Sequence, residues 1–577
     1  MSIPLPDCRP SVPDRSFVSA LAEARLVECL ASIRDRSLQT LFSNCWLNTL
    51  DTTIFDHFAD EGQADLARAQ PRTWVITGQF KLPDSSSDWV SESGRGITAI
   101  DTSFSACNRQ QQQCTHHIRI DLGQAPYLSL LAPPPGTDPT TFDPDEREWA
   151  ALYRLILGVV YAQASCILLH PFSNAFVPPT STVSTGDNAD QVHPPPPKPV
   201  LDRNGHGLRV WESKWELDSL CAFFDLSAKL AQNASRTDFV GNEQWVEAVR
   251  LALKVCRLQQ RGTQEEYDLL QRAQAQKEGD ETSLDGTLPW ATSESEGPFT
   301  YDGAQGVYQF QRPTSTASET RAMSGLGEPA KRCGLVKSAF RPSDDATVLP
   351  FLIPSNCFLV ASLGKLADTV HSHILSDGSR PNRSSRSVRE AIQLAELERE
   401  MRALADEVSE AIRTQAMVKV LNAQGQEEVV LAYEVDGCGS YLLADDANLP
   451  SLLSLPFLGY CDNTLPLYVS TRSLVLSPRN KWFFCGSAGT GIGGMHLGLN
   501  FIWPMSIIMR ALTSDDDHEI LECLDMLKTS TGGTGLMHES FEKDDSRRFT
   551  RGWFAWANGL FGELILDVWA RNPHLLS

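Results

Sequence analysis

Near the C-terminal end of the sequence, Gly533 and Thr534 introduce a polar run in which His538 and Glu539 stand side by side. Arg548, Arg551, Trp553, Phe554 and Trp556 follow, and from Trp553 onward apolar residues recur at helical spacing. A glycine turn, a polar loop and then a buried helix is an arrangement that presents a reactive side chain and anchors it from behind. Two further stretches carry clustered acids. One is FRPSDDA, with Asp344 and Asp345 after Arg341; the other is YEVDGCGSYLLADDANLP, with Glu434, Asp436, Asp445 and Asp446. The three stretches are rich in acids, aromatics, Asn and Arg, and none has Cys or His at metal-ligand spacing. Paired carboxylates with flat rings suit an acetal: one carboxyl protonates the bridging oxygen, another works on water or the anomeric carbon, and rings cover the sugar's C–H faces.

Each acid pair also has an ordinary reading. In PSDDA, Ser343 or Asp344 can cap a helix that starts there, and ADDANLP can be a solvated turn. Gly489 to Gly494 fits G-x-G-x-x-G after the strand-like KWFFC. A dinucleotide site requires a helix to open there within a βαβ unit. The following MHLGLNFIWP, with more Gly and a Pro, predicts a glycine-rich loop carrying His496 instead. The adjacent His116 and His117 share no helix face and have no carboxylate or cysteine partner at ligand spacing, so no metal site is expected.

The elements that must hold these loops are mostly helices. Helical periodicity runs through Phe17–Leu50, the stretch EREWAALYRLILGVVYAQASCILLH, WELDSLCAFFDLSAKLAQ with Glu216 and Asp218 at its start, NEQWVEAVRLALKVCRLQQ and PSNCFLVASLGKLADTVHSHI. The strongest stripe is Leu394, Leu397, Met401, Leu404, Val408 and Ile412 within Val388–Ile412. Strand-like runs are few: TWVITG, EEVVLAYEV and KWFFCG. Residues 79–122 show neither period, and 177–200 (proline-rich) and 262–297 (polar) read as surface excursions. Successive amphipathic helices predict an all-α architecture of one domain over 1–577, with the chemistry on loops at one end.

Composition sets further bounds. The 577 residues are 42% hydrophobic, enough for a large core, and a net charge of −22 argues against nucleic-acid and anionic-membrane partners. No window offers a membrane span, and the first residues lack a signal-peptide pattern, so a cytoplasmic location is expected. The 14 cysteines form no C-x-x-C pair and are expected to be free, mostly buried thiols.

Over nearly its whole length, and in order, the chain resembles glycoside hydrolase family 125. The shared motifs include CWLNTLDTT, TWVITG, PFSNAF, WELDSLCAFF, YQFQRPT, FRPSDDA, PFLIPSN, YEVDGCGSYLLADDANLPSLLSLPFLG, GIGGMHLGLNFIWPMSIIMRALTS and TGLMHESFEKDDSRRFTRGWFAWANGLFGELIL. The resemblance implies an (α/α)6 barrel with long loops and few short strands. It implies an exo-acting α-1,6-mannosidase that inverts configuration and needs no metal or other cofactor. The implied substrate is an α-mannoside oligosaccharide or an N-glycan-derived one. Inversion calls for two carboxyls about 6.5–9.5 Å apart; the resemblance places the acid in the Asp344–Asp345 pair, without choosing between them, and the base at Glu539. It implies a substrate-binding role for Arg341, Asp446, Asn448, His538, Arg551 and Trp553, with Asn174 of PFSNAF, Glu216 of WELDSLCAFF and His496 of the glycine loop. The chain departs from the pattern after VITG, where the family has a W-L-R-D-S segment that holds the terminal mannose. Here the sequence reads QFKLPDSSSDWVSESGRGITAIDTS, and the match resumes near GQAPYLSLL. That departure implies the alternative of a catalytically impaired, carbohydrate-binding relative.

Overall fold

The computed structural model describes residues 29–51, 53–57, 71–75, 147–177, 209–278, 299–301, 307–378, 385–422 and 424–577. Residues 79–122 and 178–200 lie outside them. The helices are α1 (Arg36–Asp51), α2 (Arg147–Leu169), α3 (Leu217–Ala234), α4 (Glu243–Leu258), α5 (Thr263–Glu278), α6 (Ile353–Gly378), α7 (Ser385–Gln415), α8 (Pro466–Val475), α9 (Pro504–Leu512), α10 (Asp517–Thr529) and α11 (Ala555–Arg571).

Their boundaries follow local chemistry. The expected long N-terminal helix is interrupted at Ile33–Asp35, where the Asp35 carboxylate accepts the Ser37 and Leu38 amides at 2.8 and 3.2 Å and so caps α1. Asn242 caps α4 and Asp516 caps α10 in the same way, while Pro466 and Pro504 open α8 and α9, where a missing N–H costs nothing. The α7 stripe from Leu394 to Ile412 is buried as its spacing predicts, packed on α6, which in turn packs on α3. At the other side α1 packs on α11 and α10, bringing the early chain against the late chain. Asn44 donates to the Gly535 carbonyl at 3.1 Å, and Lys528 pairs with Asp35 at 2.6 Å.

Residues 262–297 are not wholly an excursion. They begin with α5, whose Glu266 is buried and paired with the buried Lys337. Its apolar residues are too few for a helical stripe, but its Glu, Gln and Ala content favours helix intrinsically.

The strands pair into small antiparallel sheets. They are β1 (Thr53–His57), β2 (Pro71–Val75), β3 (Ala175–Val177), β4 (Arg209–Glu212), β5 (Phe299–Tyr301), β6 (Tyr308–Phe310), β7 (Phe351–Leu352), β8 (Met417–Leu421), β9 (Glu427–Leu431), β10 (Glu434–Val435), β11 (Tyr441–Leu442), β12 (Phe483–Cys485), β13 (Thr490–Ile492), β14 (Phe501–Ile502), β15 (Phe541–Glu542) and β16 (Asp545–Phe549). Three of these sheets carry the loops of interest. In one, β10 lies between β7 and β11; in another, β15 lies between β14 and β16. The third is the β12–β13 hairpin, with Phe484 opposite Gly491, so the G-x-G-x-x-G stretch is an antiparallel turn and not a strand-to-helix phosphate loop. All cysteines among the described residues are free, most of them buried, and no described helix is long and apolar enough to cross a membrane.

One buried acid on α11 gives the fold a pH signature. Burial pushes the Glu563 carboxyl up to about 8, despite Lys229 nearby, and its Oε2 has no hydrogen-bond partner among the described residues. A raised carboxyl contributes stability that is complete below the ordinary glutamate range, about 4.3, and lost as pH rises through the folded-state value. Tm is therefore expected to fall between pH 5 and about 8, and Glu563→Gln to flatten that fall. Melting curves across the interval test it; an unchanged slope in the variant refutes the assignment.

Candidate active site

The loop carrying the aspartate pair is a tight turn and caps no helix. Phe340 bridges Ala346 across it, the Arg341 amide donates to the Asp345 carbonyl at 2.7 Å, and the Asp344 amide donates to the Arg341 carbonyl at 2.9 Å. Closing so short a turn puts Asp344 in the left-handed region, at φ +70°. A non-glycine residue there is strained by an amount on the order of 1–3 kcal/mol, and such strain concentrates at functional sites. The two side chains part. Asp344 accepts the Asn174 amide at 2.9 Å, and the same amide lies 3.4 Å from the Glu216 carboxylate. Asn174 comes from the polar loop entering β3 and Glu216 from the residue before α3, so those two predicted residues do stand beside the pair. Asp345, only 1% exposed, accepts the Ser343 hydroxyl at 3.0 Å and faces His496 Nδ1 at 3.8 Å.

The remaining acids of the second and third stretches serve mainly as internal struts. Arg341 is fully buried; its Nε meets Glu434 Oε1 at 2.6 Å, and its guanidinium lies 5.2 Å from the Tyr433 ring. The other Glu434 oxygen accepts the Val348 and Leu349 amides, both at 2.9 Å. Arg341 therefore stands behind the aspartate turn and pins it to β10. Asp445 accepts the Leu452 and Leu453 amides, and Asp436 accepts those of Cys438 and Ser440. Asp446 is 1% exposed; its Oδ1 accepts the Asn448 amide and side chain at 3.0 and 2.8 Å, closing an Asx-type turn rather than a solvated one. Asn448 is equally buried. Gly494 of the glycine loop comes so close to Asp446 that a Cβ there would lie 2.8 Å from Oδ2, which is why this loop must be glycine at that point.

Glu539 sits between the Ser530–Gly535 turn and β15. Arg551 Nε meets its Oε1 at 3.0 Å and the Thr550 hydroxyl donates to its Oε2 at 2.9 Å, leaving it 5% exposed. His538 points away from it, stacked on Phe549 at 3.8 Å, with the Arg551 and Thr531 carbonyls at 2.7 and 2.8 Å from its two nitrogens. Burial pulls the imidazole below its ordinary value, against those carbonyls. His538 thus braces the loop and does not contact its neighbour's carboxylate. The Met537 amide donates to Asn558 and the Phe554 amide to the Met537 carbonyl, which fastens the loop to the start of α11. Trp553 is partly exposed, Trp556 is buried in the first turn of α11, and Arg548 is exposed on β16.

A continuous line of contacts joins the two acid centres. Asp345 faces His496, whose ring lies 6.3 Å edge-on from Trp503; Trp503 lies 6.2 Å from Phe554; and the Arg551 guanidinium covers Phe554 at 5.3 Å while holding Glu539. The predicted Asp345, His496, Arg551 and Glu539 are thus brought into one neighbourhood, with Asp344, Asn174 and Glu216 beside it. Sequence reading missed Trp503, Ser343 and Thr550. Trp503 stands just before Pro504 of the apolar run into α9 and looks like ordinary core, while the other two are hydroxyls with no periodic signal. Among the described residues no group of three His, Cys, Asp or Glu side chains is placed to hold a metal ion.

The model of a family described as metal-independent alpha-mannosidase (GH125) matches residues 140–566. The chain is 34% identical over 577 residues to the Meiotically up-regulated gene 157 protein of Schizosaccharomyces pombe, covering 99% of this chain and 90% of that protein. Among solved structures it is similar to a Streptococcus pneumoniae chain, with a TM-score of 0.66 and 26% identity over 96% of this chain and 99% of that one. That structure is described as a non-productive substrate complex with α-1,6-mannobiose, from a family of metal-independent α-mannosidases linked to N-linked glycan processing.

Proposed function

Because the chain belongs to glycoside hydrolase family 125, the metal-independent α-mannosidases, and has the α/α-barrel fold of its solved neighbour, we propose that it releases terminal α-1,6-linked mannose by one-step inverting hydrolysis, from a single domain. The mannobiose bound by the pneumococcal neighbour supports the linkage. The observation that carries the reading is the contact line from Asp345 to Glu539, which supports the assignment of two carboxyls on separate loops to one site.

In this mechanism Glu539 is the base. Arg551 and Thr550 each take one of its oxygens, fixing the carboxylate plane and leaving lone pairs to draw a proton from water. That water attacks the anomeric carbon from the face opposite the leaving group. Asp345 is the acid that protonates the departing oxygen. Asp345 is given that role because it stands on the contact line through His496, while its partner Asp344 is engaged by the Asn174 amide. Asp344, Asn174 and Glu216 then hold sugar hydroxyls, His496 flanks the acid, and Trp553 offers a ring face to the sugar.

Two measurements test this. NMR of the first product from α-1,6-mannobiose is expected to show β-mannose; α-mannose refutes inversion. Asp345→Asn is expected to slow mannobiose cleavage by roughly 10²–10⁴-fold yet to spare an aryl α-mannoside whose acidic phenol leaves unaided. Asp344→Asn is expected to impair both substrates alike; if Asp344→Asn shows the leaving-group dependence, the acid is Asp344. The missing W-L-R-D-S segment supports a second reading, a mannoside-binding relative without turnover. Calorimetric binding of mannobiose with no mannose release distinguishes it.

A further inference from the structure

Ser343 has one hydroxyl proton and two carboxyl neighbours. Its Oγ lies 3.0 Å from Asp345 Oδ2 and 3.4 Å from Asp446 Oδ2. A hydroxyl donates once, so both contacts are satisfied only when one of the two carboxyls carries a proton and donates it back to Ser343. We propose that Ser343 is a proton relay between a buried reserve carboxyl, Asp446, and the acid carboxyl Asp345. The proposal rests on the assignment of Asp345 as the acid.

The surroundings of Asp446 suit a reserve. Its Oδ1 is already occupied by two N–H donors from Asn448, which leaves Oδ2, the oxygen facing Ser343, as the protonated one. Burial drives its proton affinity up; Arg341 and the Asn448 donors pull it down, and Asp345 pushes it up again. The other groups around it are the buried Tyr433 hydroxyl, the adjacent Asp445, whose oxygens are held by the Leu452 and Leu453 amides, and Glu434 on the far side of Arg341. His496 faces the Asp345 end and Asn174 holds the neighbouring Asp344. The relay also has a cation waiting for the charge it creates. Arg341 spends only Nε on Glu434; its Nη1 and Nη2 are buried with no hydrogen-bond partner among the described residues.

The step balances. When Asp345 has given its proton to the departing oxygen, it is a carboxylate. The O–H bond of Asp446 breaks as its proton moves to Ser343 Oγ, and the original Ser343 proton forms a new O–H bond on Asp345 Oδ2. Ser343 is unchanged, and the negative charge now rests on Asp446 beside Arg341. Solvent entering after product release returns a proton through Asp345 and resets the chain.

The test compares Ser343→Ala and Ser343→Thr with the wild type. For Ser343→Ala, kcat on α-1,6-mannobiose is expected to fall about 10–100-fold, within the range of general acid–base effects, with KM changed less than about twofold. The alkaline limb of kcat/KM, which reports the acid in the free enzyme, is expected to move to higher pH, because the lost hydroxyl had donated to the Asp345 carboxylate. The aryl mannoside with an acidic phenol is expected to be hydrolysed nearly as fast as by the wild type, and Thr, which keeps the hydroxyl, to restore the profile. An unmoved alkaline limb, or equal loss on both substrates, overturns the relay, while a wild type that releases no mannose overturns the mannosidase reading instead. Infrared spectroscopy decides the relay even then. In the difference spectrum of wild type minus Asp446→Asn at pH 7, one protonated-carboxyl C=O band should be lost over and above those of other buried carboxyls such as Glu563, and the same band should shift in Ser343→Ala; a difference spectrum without that lost band means there is no reserve proton to pass.

Discussion

Glu539→Gln is expected to reduce kcat on α-1,6-mannobiose by roughly 10²–10⁴-fold, the usual yield of a positioned general base, with little change in KM. The amide keeps an oxygen for Arg551 or Thr550 and nearly the same volume, so the loop between the Ser530–Gly535 turn and β15 should stay folded. It cannot take a proton from water. The loss should appear equally on mannobiose and on an aryl mannoside with a good leaving group, because water attack precedes neither and accompanies both. A Glu539→Gln enzyme within tenfold of wild type on either substrate removes Glu539 from the role of base. Thermal melting of the variant, unchanged to within a few degrees, excludes unfolding as the cause.

Arg341→Met is expected to cost about 3–5 kcal/mol of stability, the range for removing one member of a buried ion pair. Both Arg341 and Glu434 have fully buried side chains, and the methionine would leave Glu434 with only the Val348 and Leu349 amides. The aspartate turn would also lose its tie to β10, so activity should fall along with stability. The double variant Arg341→Met with Glu434→Gln removes the stranded charge and is expected to recover a good part of the loss. Urea unfolding of the singles and the double gives the coupling directly. A single variant that costs less than about 1 kcal/mol would mean that Glu434 is not held as a charge at all.

How much of this was legible in the sequence depends on the range of the interaction. The α7 stripe is a local pattern, and Leu394 to Ile412 are buried as their spacing demands. The Gly489–Gly494 run could be rejected as a phosphate loop because a Pro and more Gly follow it, and it is an antiparallel hairpin. The acids could be recognised as candidates, but their division of labour could not. Asp445, Asp436 and Glu434 look as reactive on paper as Glu539, yet each spends at least one oxygen on backbone amides. Which acid faces which amide is fixed by register and turn geometry, and neither is written in residue type. Arg341 illustrates the same limit: its partner Glu434 is 93 residues away, so nothing nearby marks it as a strut. The α5 helix was obscured for a different reason, since its buried contacts are made by Thr263 and Glu266 instead of an apolar stripe.

The contact of Asn44 with Gly535 has a consequence for how the chain is made. The two residues are 491 positions apart, and among the described residues the main packing partners of α1 are α11 and α10. Translation at about 5–20 residues per second separates the synthesis of those two sites by about 25–100 s. Through that interval the apolar face of α1, with Leu38, Leu41 and Phe42, has been synthesised but the surface that covers it has not. The nascent chain therefore carries this helix without its α10 and α11 cover until those two helices emerge from the ribosome. Chaperone occupancy on ribosome-bound chains should persist until α11 appears, then drop abruptly as the two ends meet.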